Sequence, residues 1–390
     1  MFFYISFLRP PPCQAAPYSN IVIAPQIAND LRTEQFKGSQ DIFYLWSQEH
    51  PPQKIPNATR NSDPIITTSP RKLTTWRQAN AYKEIPVPTP PNVREGQYWR
   101  LLLTGTLANA QKALEIDMAD GGVGRHPFPV MSMPILFTAR CGKGAQKQEH
   151  VERVYRFPRA EADDGKRDNL PMDLKITEQT SFDLDKKIWD SGIGLSSWLV
   201  GLCNRTNLDS DSAAVRQMRD ALFSSERRTI LELGAGTGLV AIAIAALRSA
   251  SNLPDDIIAT DVSSAMPLLE QNISSNQHTF TTSPKAVVLD WDDKDLPEDV
   301  TGLEDGLDAI VMADVTYNTA SFPSLIRTLD KLLRLGSKPP AILLGYKERD
   351  AAERTLWDMA AEIGVEFEKV GERVGAGGAP VEIWIGHLQE

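Results

Sequence analysis

Residues Thr229 to Leu233 form a short apolar run that stops in Gly234, Gly236 and Gly238 and passes at once into nine apolar residues, Leu239 to Leu247. A strand, a tight turn and a helix in so few residues predict a strand inside a sheet, with its helix folded back over it. The alternation continues. Ile257 to Thr260, Ala286 to Leu289, Ala309 to Ala313 and Ala341 to Leu344 read as further strands, with helices over Ala265 to Ile273 and Phe322 to Leu335. Another helix opens at Asp350 as N-cap and sets Leu356, Met359, Ala360 and Ile363 on one face. The strand runs are apolar at nearly every position, which fits strands covered on both faces. At the end, Glu366 to Val370 and Val381 to His387 alternate and leave no room for a helix between them, so they predict a hairpin. The expected fold class is α/β: a doubly wound, Rossmann-like sheet closed by an antiparallel C-terminal hairpin, with its ligand at the carboxyl ends of the strands.

The N-terminal half reads differently. Fourteen of the 27 prolines lie between Pro10 and Pro91, so residues 1–95 are expected to be largely irregular, with a helical hint at Asp41 to Gln48. Residues 96–175 read as a small β-rich, antiparallel extension, with strands at Trp99 to Thr106, Ala113 to Met118, Val130 to Arg140 and His150 to Phe157. Residues 176–390 hold the α/β domain. The apolar Phe2 to Leu8 lacks a preceding basic residue and is cut short by Arg9 and Pro10 to Pro12, a poor signal peptide; disorder or a misassigned start is the expectation there.

Cys13, Cys141 and Cys203 are too few for a disulfide framework, and no Cys or His pair has metal-ligand spacing. A reducing compartment follows, the cytoplasm or the nucleus, and no metal is expected. The longest apolar run, Leu239 to Leu247, is about half of the ~18 residues a membrane span needs. Residues 1–175 carry a net charge of +5 and residues 176–390 one of −15. An acidic domain disfavours nucleic acid and suits a cationic protein surface. The expected protein is a monomer without membrane or nucleic-acid partners.

The turn Glu232-Leu233-Gly234-Ala235-Gly236-Thr237-Gly238 has G-x-G-x-G spacing, and Leu239 stands next, so the G-x-G-x-x-G of dinucleotide binders is not met. Glu232 beside the turn repels a pyrophosphate but suits the ammonium of an amino-acid-like cofactor. Asp261 closes the second strand, where an acid accepts hydrogen bonds from a ribose diol. An adenosine joined to an amino acid satisfies all three features, and S-adenosylmethionine is the common molecule of that description.

Four blocks give the sequence a resemblance to the seven-strand class I methyltransferases and, within them, to the family 16 protein-lysine methyltransferases. They are Ile188 to Leu195 with its Trp189, the glycine block Glu232 to Val240, Leu289-Asp290-Trp291, and Ala313-Asp314-Val315-Thr316-Tyr317. The resemblance covers residues 176–390. It implies that Trp189, Gly234, Ala235, Gly236, Asp261, Trp291 and Ala313 contact the cofactor, to which the turn itself adds Glu232 and Gly238. Asp314 and Tyr317 then face a substrate amine as the catalytic pair. The implied substrate is an exposed lysine on a non-histone protein such as a translation factor or a chaperone.

A lysine of pKa ~10.4 is neutral in only about one molecule in 2,500 at pH 7, so the site has to favour proton loss as well as align the amine. A carboxylate alone raises the pKa of the amine, and aromatic walls have to oppose it by desolvation. Two other readings stay open: a small-molecule N-methyltransferase, which needs a lid over the site, and a cofactor-binding module without turnover. Tyr346-Lys347-Glu348-Arg349, after the fifth strand, reads as a solvated loop, with the substrate rim as the alternative.

Overall fold

The alternating runs of the C-terminal half become adjacent strands of one sheet in the computed structural model, which describes residues 1–390 except 51–65, 108–111, 113, 141–145, 159–170, 182, 206–210, 250–253, 304 and 390. In chain order the strands are β1 (Thr229–Leu233), β2 (Asp256–Asp261), β3 (Lys285–Val288), β4 (Ala309–Ala313), β5 (Ala341–Tyr346), β6 (Val365–Arg373) and β7 (Val381–Leu388). Across the sheet they lie in the order β3-β2-β1-β4-β5-β7-β6, with β7 antiparallel to both of its neighbours. This is the doubly wound sheet with a terminal hairpin that the alternation predicts.

Its inner strands β1, β4 and β5 are apolar at nearly every position because successive residues face opposite, covered layers. Leu231, Leu233, Ile310, Met312 and Ile342 pack on one face with Leu325, Leu329 and Leu332 of the helix Phe322–Leu333. Ile230, Val311 and Leu343 face the other layer, where they meet the helices Asp190–Cys203 and Leu239–Arg248. A Cβ on Gly194 of the first of these helices would stand 2.7 Å from Val381, so glycine there sets how closely the helix approaches the sheet. No helix among the described residues is long and apolar enough to cross a membrane.

The N-terminal half departs from expectation. The described residues of 1–95 are not largely irregular: Tyr4–Arg9, Ile21–Ala28 and Ile85–Val87 form a three-stranded sheet, and Gln40–Glu49 is a strand rather than a helix. Phe2, Ile5 and Phe7 are buried, which overturns the expectation of disorder at the start. Pro25 is tolerated because Ile85–Val87 pairs only with Ile21 to Ile23, so no ladder partner on that side asks for its missing N–H.

Nor does a boundary fall at residue 95 or 175. Gln40–Glu49 pairs with Tyr98–Thr104, and Met172–Gln179 pairs along its length with His150–Phe157, all within a single nine-stranded sheet. That sheet is mixed: Glu115–Asp117 runs parallel to His150–Phe157. Ala113 and Cys141 lie outside the described residues.

Candidate active site

The turn between β1 and its helix takes left-handed backbone at Gly234, Gly236 and Gly238, with φ of 69°, 54° and 81°. Ala235 N–H donates to the Thr260 carbonyl at 2.9 Å, which ties the turn to the end of β2. A Cβ on Gly234 would stand 3.0 Å from Val315 and 3.3 Å from the Trp291 ring, so the bare backbone is what admits both side chains. At the carboxyl ends of β1, β2 and β4 these segments enclose a cleft of about 330 Å3, within the usual range for small-molecule sites.

The structure brings most of the expected residues to this one cleft. Glu232, Gly234, Ala235, Gly236 and Asp261 line one end, and Trp189, Trp291, Ala313, Asp314 and Tyr317 line the remainder. Gly238 is the correction. It lies outside the lining and caps the helix, where a Cβ would stand 2.5 Å from Leu269, so its role is packing.

Glu232 is buried, and its Oε2 accepts the Ala241 N–H at 2.9 Å in the first turn of the helix. Burial pushes its carboxyl up to about 8, against the pull of that hydrogen bond. Between the ordinary 4.5 and about 8, the folded protein therefore holds a proton that the unfolded chain has released, and stability falls as pH rises through this window. A cofactor ammonium set beside Glu232 favours its charged form. Binding of S-adenosylmethionine at pH 6.5 is thus expected to release up to about one proton, measured by calorimetry in two buffers of different ionisation heat, and Glu232→Gln is expected to abolish that release.

Asp261 braces the turn as well as closing β2. Its Oδ2 accepts the Gly236 N–H and its Oδ1 the Val262 N–H, both at 2.7 Å. Burial raises its pKa, and the two backbone donors oppose the rise. Each oxygen keeps a second lone pair for a sugar hydroxyl. Of the polar loop expected at Ser249 to Asp256, residues 250–253 lie outside the described residues; beside it the buried Arg248 pairs with Asp255 at 2.6 Å.

Trp189 precedes the helix Asp190–Cys203, and its indole N–H donates to the Leu184 carbonyl at 2.9 Å. The Trp291 carbonyl accepts from Arg327 at 2.9 Å, which ties this loop to the helix Phe322–Leu333. Tyr317 is 52% exposed at the mouth, and partial burial with Asp261, Asp185 and Asp314 nearby raises its pKa, so it meets a ligand as a protonated phenol. Asp314 is buried in left-handed backbone at φ 63°, a conformation that non-glycine residues hold mainly where the surroundings enforce it.

Asp30 escaped the sequence reading, Asp190 entered it only as part of the Ile188 to Leu195 block, and Lys347 and Arg349 only within the segment read as a solvated loop or substrate rim. The Lys347–Arg349 segment is no solvated loop. Lys347 is 3% exposed, and both Arg349 Nη atoms pair with the Asp314 carboxylate.

The sequence profile of the lysine methyltransferase family matches residues 168–362, half of the chain. The chain belongs to this family. The family is one of lysine methyltransferases, and the cleft fits S-adenosylmethionine on the grounds above. Among similar proteins, the UPF0665 family protein C23C4.06c of Schizosaccharomyces pombe is 28% identical over 190 residues, which cover 47% of this chain and 48% of that protein. Protein-lysine N-methyltransferase EFM6 of Saccharomyces cerevisiae is 27% identical over 175 residues, 43% of this chain and 70% of the relative. EEF1A lysine methyltransferase 3 of Xenopus tropicalis is 31% identical over 164 residues, 41% and 58% of the two chains. The chain thus spans about half the length of the first of these relatives.

Proposed function

We propose that the chain transfers a methyl group from S-adenosylmethionine to the ε-amine of a lysine on a non-histone protein, a translation factor or a chaperone. The observation that carries this reading is one continuous cleft with the Glu232–Asp261 end suited to a zwitterionic nucleoside and the Asp314–Tyr317 end suited to an amine. The donor supplies a sulfonium methyl: the amine lone pair forms the new N–C bond as the C–S bond breaks, and its electron pair stays on sulfur. The protein's task is alignment. Asp261 and the glycine turn hold the sugar, Trp189 and Trp291 offer flat apolar walls, and Glu232 faces the amino-acid end. Asp314 and Tyr317 orient the acceptor.

A protein acceptor is favoured over a free amine because the Tyr317 end opens to solvent, which suits a side chain presented by a large partner. The acidic C-terminal half suits a cationic surface. The names of the relatives EFM6 and EEF1A lysine methyltransferase 3 also support a lysine acceptor on a protein. The test is incubation of the purified chain with radiolabelled S-adenosylmethionine and cell lysate. Label in one protein band, recovered after acid hydrolysis as methylated lysine, is the expected result. Label only in small molecules shifts the reading to a small-molecule N-methyltransferase, and no label with cofactor bound leaves a binding module.

A further inference from the structure

Asp314 does not stand alone at the end of β4. Arg349, on the turn after β5, pairs with both of its carboxylate oxygens, Nη2 to Oδ2 at 2.7 Å, and is not itself part of the cleft wall. The same Nη2 donates to Asp30 Oδ2 at 2.9 Å, and the guanidinium lies 5.6 Å from the centre of the Trp189 ring. Asp30 follows the strand Ile21–Ala28 of the N-terminal half. Lys347 Nζ then bridges Asp30 at 3.0 Å and Asp190 at 2.8 Å. Asp190 also accepts the Phe2 N–H at 2.8 Å and the Tyr4 hydroxyl at 2.7 Å. Charges alternate in sign along Asp314, Arg349, Asp30, Lys347 and Asp190, and each of these side chains is 12% exposed or less.

This arrangement bears on the acceptor's proton. An unpaired carboxylate beside an amine raises the amine pKa by about 1–3 units and so holds the proton on. A carboxylate already neutralised by a guanidinium still accepts a hydrogen bond and orients the amine without that penalty. We propose that Arg349, held in place by Asp30, is a positioning residue that cancels the charge of Asp314 so that the target amine docks in its neutral form.

The proposal rests on the methyl-transfer reading above. The other charged groups lining the cleft are Asp185, Lys187, Glu232, Asp261, Asp290 and Asp292, with Glu353 beside Arg349, and Asp190 and Lys347 behind Asp30. Lys187 and Glu232, both shifted to about 8 by burial, titrate in wild type and variants alike, so the readout is the difference between them. Arg349 forms a direct ion pair with Asp314. Burial opposes the charge of Arg349, but Asp314, Asp30 and Asp190 outweigh it and hold its pKa above the ordinary value. The guanidinium therefore stays charged across the range tested.

The test uses the full chain with radiolabelled S-adenosylmethionine and desalted lysate protein as acceptor, reading protein-bound label above a blank that lacks the chain, from pH 6 to 10. The acceptor is titrated to saturation, so that the rate follows kcat, whose pH profile reports the groups within the docked complex. The expected result is an alkaline limb that moves up by about 1–3 pH units in Arg349→Gln and returns towards the wild-type position in Arg349→Lys, which keeps the cation. Cofactor affinity by calorimetry is expected to stay within about threefold in both variants. An unshifted limb in Arg349→Gln overturns the proposal. So does a loss of cofactor binding or of the folded state in both variants, which makes Arg349 a structural residue. A wild type that labels no protein at any pH overturns the methyl-transfer reading itself, and the role of Arg349 with it.

Discussion

Asp314→Ala is expected to lower kcat/KM for methyl transfer about 100-fold or more while the dissociation constant of S-adenosylmethionine changes by no more than about threefold. Asp314 borders the acceptor end of the cleft, whereas the donor's expected contacts lie at the glycine turn and Asp261. Alanine removes the group that orients the amine and leaves the Arg349 guanidinium with Asp30 in place of two carboxylates, so that its charge weighs against an arriving ammonium. Asp261→Ala is expected to behave in the opposite way. It removes both carboxylate contacts that brace the turn and the candidate partner of the ribose, so cofactor affinity is expected to fall about tenfold or more. Calorimetric titration of cofactor into both variants, beside single-turnover rates at saturating cofactor, separates the two roles. Equal loss of binding in both would show that they are wrongly assigned.

Lys347→Met is expected to cost about 3–5 kcal/mol of stability, because it leaves Asp30 and Asp190, both fully buried, without the ammonium between them. That corresponds to a fall in Tm on the order of 10 °C. Burial opposes the charge of Lys347, but Asp190 and Asp30 overcome it and raise its pKa above 10.5. Its contribution is therefore present in full below the unfolded value and is lost as pH rises through the raised folded value. On the acid side, Asp30 resists burial through Lys347 and Arg349, which hold its pKa below 3.8. Its stabilisation is present above 3.8 and fades as pH falls through the depressed value. Thermal scans of wild type and variant from pH 3 to 11 are expected to show the widest gap near neutrality, narrowing above about pH 10.5. A gap below about 1 kcal/mol at pH 7 would mean that the Lys347 ion pairs add little to the joining of the two halves.

The parallel sheet was legible because each of its strands announces itself locally. Strands buried on both faces need unbroken apolar runs, and the predicted Ala309 to Ala313 matches β4 residue for residue. The glycine turn was legible for the same reason, since three left-handed positions within five residues leave glycine as the default. The strand Gln40–Glu49 was not. Its Ile42 to Trp46 are all buried, so the period of two that marks a half-exposed strand is absent, and an isolated apolar run of five resembles a helical fragment. Prolines misled in the same stretch, because Pro86 and Pro25 sit inside strands where the ladder leaves room for them.

At the site, the residues within the turn and at the strand ends were accessible to sequence reasoning because their places along the cleft follow from local position. Gly238 failed because spacing alone does not distinguish a glycine that admits a ligand from one that admits Leu269. Arg349 and Asp30 lie 319 residues apart, and neither carries a local pattern that names the other. Only the fold brings their charges together.

The separation of these charges along the chain also orders events during synthesis. Asp30 and Asp190 leave the ribosome 317 and 157 residues ahead of Lys347. At about 5–20 residues per second, the shorter gap alone lasts roughly 8–30 s. Throughout that interval the nascent chain carries two carboxylates that end up sealed from water but still lack their counter-ion, so they stay hydrated and the early sheets stay unsealed. The nucleoside end, whose last expected contact is Ala313 at the end of β4, is complete before the amine end, which waits for the turn after β5. A translation product arrested between the two would be born able to grip the donor and unable to seat an acceptor.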